Sequence, residues 1–222
     1  MPSIRAAAPK QLEWFQGSSE ALSFRHGTRV DLDHGSWLEH HRGWLDSHVE
    51  LFQELSMLST WEQRTRWMFS KVVAEPRLTA EFRSLPEAPA SLIRLAKVLS
   101  DHYDVDYDSA WLNLYRDQND STSWHADRPS CKREHCIVPV LSLGESRRFL
   151  IRAKDGGSSR PFVVEAGDLI VMGGRCQKDW VHSVPKESRP RGTRISVNFG
   201  SSFQAQADGK LSGPPPSWAG GH

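Results

Sequence analysis

The segment NLYRDQNDSTSWHAD, residues 113–127, contains the pattern from which we infer the architecture of this chain. It ends in His125, Ala126 and Asp127. On a β-strand, residues i and i+2 project to the same face, so the imidazole and the carboxylate would converge on one point. A third ligand has to come from elsewhere in the chain, and His182, in the segment WVH at 180–182, is our candidate. Together the three residues predict a metal site.

Two histidines and one carboxylate leave open positions on a bound metal, and this ligand set is typical of non-haem Fe(II) sites. Taken alone, an HxD tripeptide is a weak indication. The alternative is a surface histidine beside a solvated aspartate, and the surrounding sequence has to decide between the two.

The composition is that of an ordinary soluble protein, with 222 residues, 38% of them apolar and 25% charged. This length suffices for one full domain with a sizeable core. No run approaches the roughly 18 apolar residues of a membrane span, and residues 1–10 have no apolar signal-peptide core. We therefore expect no membrane association, a monomer, and a cytoplasmic location, or a nuclear one if the source is eukaryotic.

Three cysteines, Cys131, Cys136 and Cys176, form an odd set without a CxxC pair. This argues against a disulfide framework and fits a reducing compartment. A zinc site that adds His135 is an alternative, but the spacing matches no common zinc finger. We expect free thiols.

The charge is uneven along the chain, although the net charge is only +1. Residues 125–222 carry 15 Lys and Arg against 9 Asp and Glu, whereas residues 1–124 carry 13 against 18. The predicted metal site thus lies at the start of the basic half. A basic rim around a pocket would attract a polyanion such as nucleic acid; a solvated surface is the alternative.

Beyond residue 110 the sequence is typical of short strands separated by turns such as Gly144-Glu145 and Gly173-Gly174. We predict strands at Ala110–Tyr115, Ser123–His125, Ile137–Leu143, Arg147–Arg152, Arg160–Glu165, Asp168–Met172, Asp179–Ser183 and Arg194–Phe199. The expected fold is therefore mainly β with flanking helices, around a double-stranded β-helix, or jelly-roll, core.

The residues before 110 predict a hairpin, two helices and a further strand or hairpin tip with large side chains. The hairpin joins 29–33 to 36–41, and residues 66–71 form a strand or hairpin tip. One helix runs from Asp46 or Ser47 to about Leu58, with Val49, Phe52 and Leu55 on its buried stripe. The other runs from Ala90 to about Ser100 and buries Leu92, Leu95, Ala96 and Leu99. We divide the chain into an N-terminal arm (1–28), an N-terminal extension with a nucleotide-recognition region (29–109), the jelly-roll core (110–203) and a flexible tail (204–222).

A jelly roll places early and late strands side by side, so His182 can meet His125 and Asp127 at its open end. Arg194 lies on the next predicted strand. A guanidinium buried in a barrel is costly unless it meets an anion. A dicarboxylate co-substrate that chelates the metal would supply one.

Several motifs accompany these residues in a fixed order: Asn113-x-Tyr115, WHAD at 124–127, SLG at 142–144 before RFLIR at 148–152, Gly167-Asp168 before MGG at 172–174, His182, and RISVNF at 194–199. This set resembles the AlkB family of Fe(II)/2-oxoglutarate (2OG) dioxygenases over residues 65–202. Pro76-Arg77 is similar to the nucleotide-recognition region of its DNA-repair members.

The resemblance implies that His125, Asp127 and His182 bind Fe(II), with 2OG as co-substrate and O2 as oxidant. Asn113, Tyr115 and Ser196 would contact 2OG, and Arg194 would pair with its distal carboxylate. Many relatives have Asn in place of Ser196.

One position departs from the family pattern Arg-x5-Arg, because Gly200 stands six residues after Arg194. The second arginine of relatives supports the metal-proximal end of the co-substrate. Arg116, Arg147 or Arg152 are our candidates to replace it in space.

The resemblance further implies oxidative demethylation of N-alkylated bases in DNA or RNA, in which the alkyl carbon is hydroxylated and released as aldehyde. The target nucleotide must be flipped out or single-stranded to reach a metal inside a barrel. We expect Trp67, Met68 and Phe69 to intercalate, and Phe82 or the His125 ring to stack on the base; ordinary core packing is the alternative for these aromatic residues. The candidate phosphate contacts are Arg77, Arg128, Lys132 and Arg133.

Two alternatives stay open. One is an oxygenase of the same fold that acts on a protein or a small molecule. The other is a nucleic-acid-binding module that kept the fold but has weak catalysis, because it lacks the second arginine.

Overall fold

The computed structural model describes residues 22, 24, 26–68, 71–127 and 136–201. Within these ranges the chain forms thirteen strands, two longer helices, a four-residue helix and a short 3-10 helix at Leu85–Glu87. The strands are β1 (Gly27–Asp31), β2 (Ser36–His41), β3 (Thr65–Met68), β4 (Lys71–Ala74), β5 (Leu78–Phe82), β6 (Ser109–Tyr115), β7 (Thr122–His125), β8 (Val138–Gly144), β9 (Arg147–Ala153), β10 (Arg160–Val164), β11 (Leu169–Gly174), β12 (Trp180–Val184) and β13 (Arg194–Gly200). The helices are α1 (His48–Ser56), α2 (Ala90–Tyr103) and α3 (Cys176–Asp179).

Two antiparallel sheets form the body of the molecule. The major sheet has seven strands in the order β1-β2-β11-β8-β13-β6-β5, and the minor sheet has four in the order β10-β9-β12-β7. Neighbouring strands in both sheets are often distant in sequence, as expected for a jelly roll. This arrangement confirms the predicted fold class.

Strand β13 is an interior strand of the major sheet, between β6 and β8, and all seven of its residues are buried. Ile195, Val197 and Phe199 pack in the apolar layer between this sheet and the helices. Because side chains alternate along a strand, Arg194 and Ser196 point the opposite way, into the space between the two sheets. The period of two thus separates the apolar layer from the polar interior on one strand.

The two longer helices cover the outer face of the major sheet. In α2, Leu92, Leu95, Ala96 and Leu99 are no more than 2% exposed, as predicted. The helix continues to Tyr103, three residues beyond the predicted end, and Asp104 caps it in the left-handed conformation with φ 53°. The apolar pattern predicts the buried face of α2 more reliably than its last turn.

Helix α1 differs from the prediction in its buried stripe. It begins at His48 and ends at Ser56, and its fully buried residues are Leu51 and Leu55. Val49, which we expected on this stripe, is 50% exposed. Val49 and Leu51 are two residues apart and therefore lie on different helix faces, and the sheet contacts the Leu51 face.

Three strands from the N-terminal region, β1, β2 and β5, belong to the major sheet of the predicted core. The hairpin β1–β2 extends the major sheet through pairing of β2 with β11, and β5 pairs with β6. Strands β3 and β4 form the hairpin expected around residues 66–71, and residues 69–70 lie outside the described ranges. The division at residues 28, 109 and 203 stays a prediction. No helix in the described parts of the chain has the length and apolar character needed to cross a membrane.

Candidate metal and co-substrate site

His125, Asp127 and His182 converge although His182 is distant from the other two in sequence. His125 ends β7, Asp127 follows it, and His182 pairs with His125 across β7 and β12. Asp127 Oδ1 lies 3.6 Å from Nε2 of each histidine, and one ligand atom from each residue lies within 4.8 Å of the others. Two imidazole nitrogens and one carboxylate oxygen are a donor set that suits Fe(II).

The hydrogen bonding of His125 and the burial of His182 fit metal binding. The Nδ1 atom of His125 lies 2.8 Å from the Ser123 carbonyl oxygen, so Nδ1–H donates there and Nε2 is the ring nitrogen that faces Asp127. Burial and, to a smaller extent, His125 lower the pKa of His182 to about 4. The His182 ring is therefore neutral at pH 7, which is the form that coordinates a metal.

Asp127 is buried and held by Gln177. The Asp127 backbone N–H donates to Gln177 Oε1 at 2.8 Å, and Gln177 Nε2 donates to Asp127 Oδ2 at 3.2 Å. Burial would raise the pKa of this carboxyl, but His182, His125 and the Gln177 hydrogen bond together hold it below its usual value. The carboxylate is thus ionised, with Oδ2 engaged and Oδ1 directed to the histidines.

Sequence reasoning missed Gln177. It lies on α3, a helix of four residues, immediately before the segment where we predicted a strand. Such a short helix has no apolar periodicity that a sequence could show. A buried glutamine beside a metal ligand is recognised only once the fold brings residues 127 and 177 together.

The three residues open into a cavity of about 310 Å³ between the two sheets. Its polar wall includes Asn113, Tyr115, Arg194 and Ser196, all of which we predicted as co-substrate contacts. Its apolar wall is formed by Val140, Phe149 and Val184. The structure therefore brings the predicted metal ligands and the predicted co-substrate contacts into one cavity.

Arg194 fits the carboxylate end of a co-substrate. Its side chain is 2% exposed, and Nη2 donates to the Ser142 hydroxyl at 2.8 Å. Nε and Nη1 have no hydrogen-bond partner within the described residues. Burial lowers the pKa of this guanidinium. Unpartnered donors of a buried cation are costly, and a carboxylate in the cavity would satisfy them.

Asn113 and Ser196 lie opposite each other on β6 and β13, and Asn113 Nδ2 donates to Ser196 Oγ at 3.3 Å. Asn113 Oδ1 accepts a hydrogen bond of 2.9 Å from Arg77 Nε, and Arg77 Nη2 pairs with Glu75 at 2.9 Å. Arg77 therefore lines the cavity and is held there by two partners. Its contact with a substrate phosphate stays a prediction.

None of the three candidates to replace the arginine missing at Gly200 lines the cavity in the described part of the chain. Arg116 pairs with Asp120 at 2.8 Å, and Arg152 stacks on Trp124. Arg147 is buried and donates to the backbone carbonyls of Asp117 and Gly192. The arginines that do line the cavity are Arg64, Arg77 and Arg194.

The predicted substrate contacts have different outcomes. Phe82 is 8% exposed and packs in the apolar layer between the major sheet and the helices, so the prediction that it stacks on a base is replaced by a packing role. Trp67 and Met68 lie on β3, but their side chains are outside the described part of the structure, so their intercalation stays a prediction. Phe69, Arg128, Lys132 and Arg133 lie outside the described residues.

The cysteines differ from one another. Cys176 is a free, buried thiol, as expected, and burial raises its pKa to about 12. Cys136 is disulfide-bonded, so the expectation of a free thiol is wrong for this residue. The only cluster of three or more potential metal ligands among the described residues is His125, Asp127 and His182.

The comparison with known proteins agrees with this geometry. The family profile of the 2OG-Fe(II) oxygenase superfamily matches residues 8–199, which is most of the chain. The chain belongs to the 2OG-Fe(II) oxygenase superfamily. Members of this superfamily use Fe(II) and 2OG. His125, Asp127 and His182 offer the ligand atoms that suit the metal, and the buried Arg194, whose Nε and Nη1 have no partner in the described residues, offers a cation to a carboxylate.

Curated relatives confirm the predicted resemblance of this oxygenase to the AlkB family. It is 32% identical to the alpha-ketoglutarate-dependent dioxygenase alkB homolog 3 of Bos taurus, over 67% of this chain and 59% of that protein. It is 28% identical to the DNA oxidative demethylase ALKBH2 of Arabidopsis thaliana, over 77% of this chain and 68% of that protein. The chain thus spans less than two thirds of the length of the Bos taurus relative.

A solved structure shares the fold. The structure of OsALKBH1 superimposes on this chain with a TM-score of 0.57 at 15% identity, covering 78% of this chain and all of that one. At this level of identity the likeness supports the jelly-roll architecture.

Proposed function

We propose that this chain is an Fe(II)/2OG-dependent dioxygenase that removes N-alkyl groups from bases in DNA or RNA. The observation that supports the proposal most directly is the set of side chains that line one cavity. It holds a two-histidine, one-carboxylate ligand set and a buried arginine whose Nε and Nη1 have no partner in the described residues.

In the proposed site, His125 Nε2, Asp127 Oδ1 and His182 would hold the metal. Arg194 and Ser142 would bind the distal carboxylate of 2OG, because they form a buried cationic and hydroxyl pair. Iron and 2OG, when bound, would supply the oxidative chemistry: O2 and 2OG become succinate and CO2, and an N-methyl group becomes formaldehyde and free N–H. The residues of the chain position these reactants and exclude water.

Several groups would act on the substrate side. Phe149 stacks on His182, with ring centroids 5.3 Å apart at 21°, and shields that ligand from water. The cavity wall also includes Arg64 and Thr65, at the base of the β3–β4 hairpin. A target base flipped out of a strand would enter past this hairpin. The basic charge of residues 125–222 and the name of the Arabidopsis thaliana relative, a DNA oxidative demethylase, support a nucleic acid as the substrate.

The test uses protein loaded with Fe(II) in the absence of oxygen, together with 2OG and single-stranded oligonucleotides that contain 1-methyladenine or 3-methylcytosine. On admission of air, we expect succinate and unmodified base to form together. Unmethylated oligonucleotides of the same sequence provide the control. Succinate without loss of methylated base would instead indicate a protein or small-molecule substrate, and binding without succinate would indicate a non-catalytic module.

Variants of the ligand set connect this activity to the site. Asp127→Asn keeps the size of the side chain but removes its charge, and we expect loss of both Co(II) binding and succinate formation. Asp155→Asn, at an exposed turn, is the matched control and should behave as the wild type. Co(II) binding by the Asp127→Asn protein as tight as that of the wild type would overturn the assignment of the metal site.

A further inference from the structure

Trp124 and Arg152 form a stacked pair beside the metal site that the proposed chemistry does not use. The Arg152 guanidinium carbon lies 4.4 Å from the centroid of the Trp124 ring. Trp124 is 36% exposed, so part of its ring is open to solvent. It also precedes the metal ligand His125 and borders the cavity.

The pair lies on the outer face of the minor sheet. His182 pairs with His125 on one side and with Ile151 on the other, and these three residues share the inner face. Because side chains alternate along β9, Arg152 points to the opposite face. The register of β7 against β12 shifts between the pairs His182–His125 and Val184–Thr122, so it is the contact with Arg152 that places the Trp124 ring on that face. Strand β12 lies between β7 and β9, so the Arg152 side chain reaches across a whole strand to contact Trp124.

The guanidinium of Arg152 has no carboxylate partner among the described residues, and its Nε has no hydrogen-bond partner there. Its charge is therefore not neutralised by a carboxylate of the described residues, and its Nε is buried. Since β7 is an edge strand of the minor sheet, no strand of that sheet in the described ranges lies beyond Trp124. An exposed indole and an unneutralised cation, side by side, match the base and the phosphate of one nucleotide.

We propose that Trp124 and Arg152 form a platform that binds the nucleotide next to the target base on a single strand. Trp124 stacks on the flanking base, and Arg152 contacts its phosphate. This inference rests on the proposed function, because it requires that the strand which delivers a base to the cavity passes over the adjacent edge of β7.

The structure contains a matched control for the pair. Arg29 lies 4.4 Å from the ring centroid of Trp37, at the opposite end of the major sheet from β5, and neither residue borders the cavity. Variants of Trp37 and Arg29 therefore test the loss of an arginine–tryptophan stack that is not next to the metal site.

The first experiment changes the substrate and leaves the protein intact. We measure the Kd of short single-stranded oligonucleotides with one 1-methyladenine, in which the nucleotide on either side is normal or abasic. Removal of the flanking base that stacks on Trp124 should raise the Kd about tenfold for the wild type. Trp124→Ala should bind the normal oligonucleotide about tenfold more weakly than the wild type does. Removal of the flanking base should then cause no further rise in the Kd of this variant.

The second experiment isolates Arg152. When a protein makes one phosphate interaction fewer with a single strand, the slope of log Kd against log salt concentration falls by about 0.7. Arg152→Gln should show this reduction, whereas Arg29→Gln and Trp37→Phe should keep the wild-type slope and Kd. Thermal unfolding of every variant identifies any loss of fold, and Trp124→Phe, which retains a ring, should keep most of the affinity.

The results separate this inference from the proposed function. If the wild type demethylates oligonucleotides but its Kd does not respond to the abasic neighbour or to Arg152→Gln, the platform is overturned and the proposed function stands. If the wild type neither binds nor demethylates any methylated oligonucleotide, the proposed function fails, and the platform fails with it.

Discussion

The side-chain amide of Gln177 is hydrogen-bonded to both the backbone N–H and the carboxylate of Asp127, at 2.8 and 3.2 Å. The two residues are 50 positions apart, and Gln177 is 1% exposed. The amide fixes the carboxylate plane and occupies Oδ2, which leaves Oδ1 for a metal. Removal of a group that orients a metal ligand in this way commonly weakens metal affinity.

Replacement of Gln177 by Leu should therefore weaken metal binding by about 10- to 100-fold, because Asp127 would be free to rotate. The affinity can be measured by titration with Co(II), followed by absorption. Gln63→Leu, which changes an exposed glutamine, is the control and should have no effect. Unaltered Co(II) affinity in Gln177→Leu would show that the apolar walls alone orient Asp127.

Arg194→Met should weaken co-substrate binding without destabilising the protein. Without 2OG, the buried guanidinium is poorly compensated, so its replacement by an apolar side chain should leave the thermal midpoint unchanged or raise it. The KM for 2OG should rise by a factor of roughly 30 or more, since the variant cannot pair with the distal carboxylate. Arg83→Met, at a side chain that is 58% exposed, is the control. A large drop in stability without a change in KM would assign Arg194 a structural role.

The lowered pKa of His182 predicts a pH-dependent stability of the metal-free protein. In the unfolded chain the imidazole binds a proton near pH 6.5, whereas in the folded chain it does so only near pH 4. Between these values the unfolded state holds more protons, so the free energy of unfolding should fall as pH decreases, by up to about 3 kcal/mol.

Urea denaturation of metal-free protein at pH 7 and pH 5 measures this dependence. His182→Gln should reduce the difference between the two pH values, because the titrating group is absent. His26→Gln, at an exposed position, should retain it. Equal pH dependence in the His182 variant and the wild type would contradict a neutral, buried His182.

Gly144, at the turn between β8 and β9, should not tolerate a side chain. Its φ is +81°, and a Cβ placed there would lie 2.5 Å from the Thr193 carbonyl oxygen and 2.7 Å from the Phe52 ring. Gly156 also has a positive φ, +114°, but a Cβ placed there would meet no other atom within 4 Å. We expect Gly144→Ala to destabilise the protein by about 2 kcal/mol more than Gly156→Ala in urea denaturation. Equal effects would mean that conformation, and not close contact, accounts for the glycine.

The sequence by itself was sufficient for the jelly-roll class, for most strand positions and for the buried face of α2, because these depend on local apolar periods and turn residues. It was also sufficient to select His125, Asp127 and His182 as candidate metal ligands and Arg194 as a candidate co-substrate contact, because the HxD spacing and the order of the motifs can be read directly from the sequence. The structure brings all four into one cavity.

Only the tertiary structure decided which further residues meet at the site. Gln177 reaches Asp127, and Arg77 binds Asn113, through contacts between distant segments that no local pattern encodes. The same applies to Phe82, whose alternation on β5 directs it to the helices, away from the cavity. A strand period predicts that a side chain is buried, but the face that it occupies depends on which sheet the strand joins and on what covers that sheet. For the same reason, the stack of Arg152 on Trp124 across β12 became apparent only once the register of the minor sheet was known.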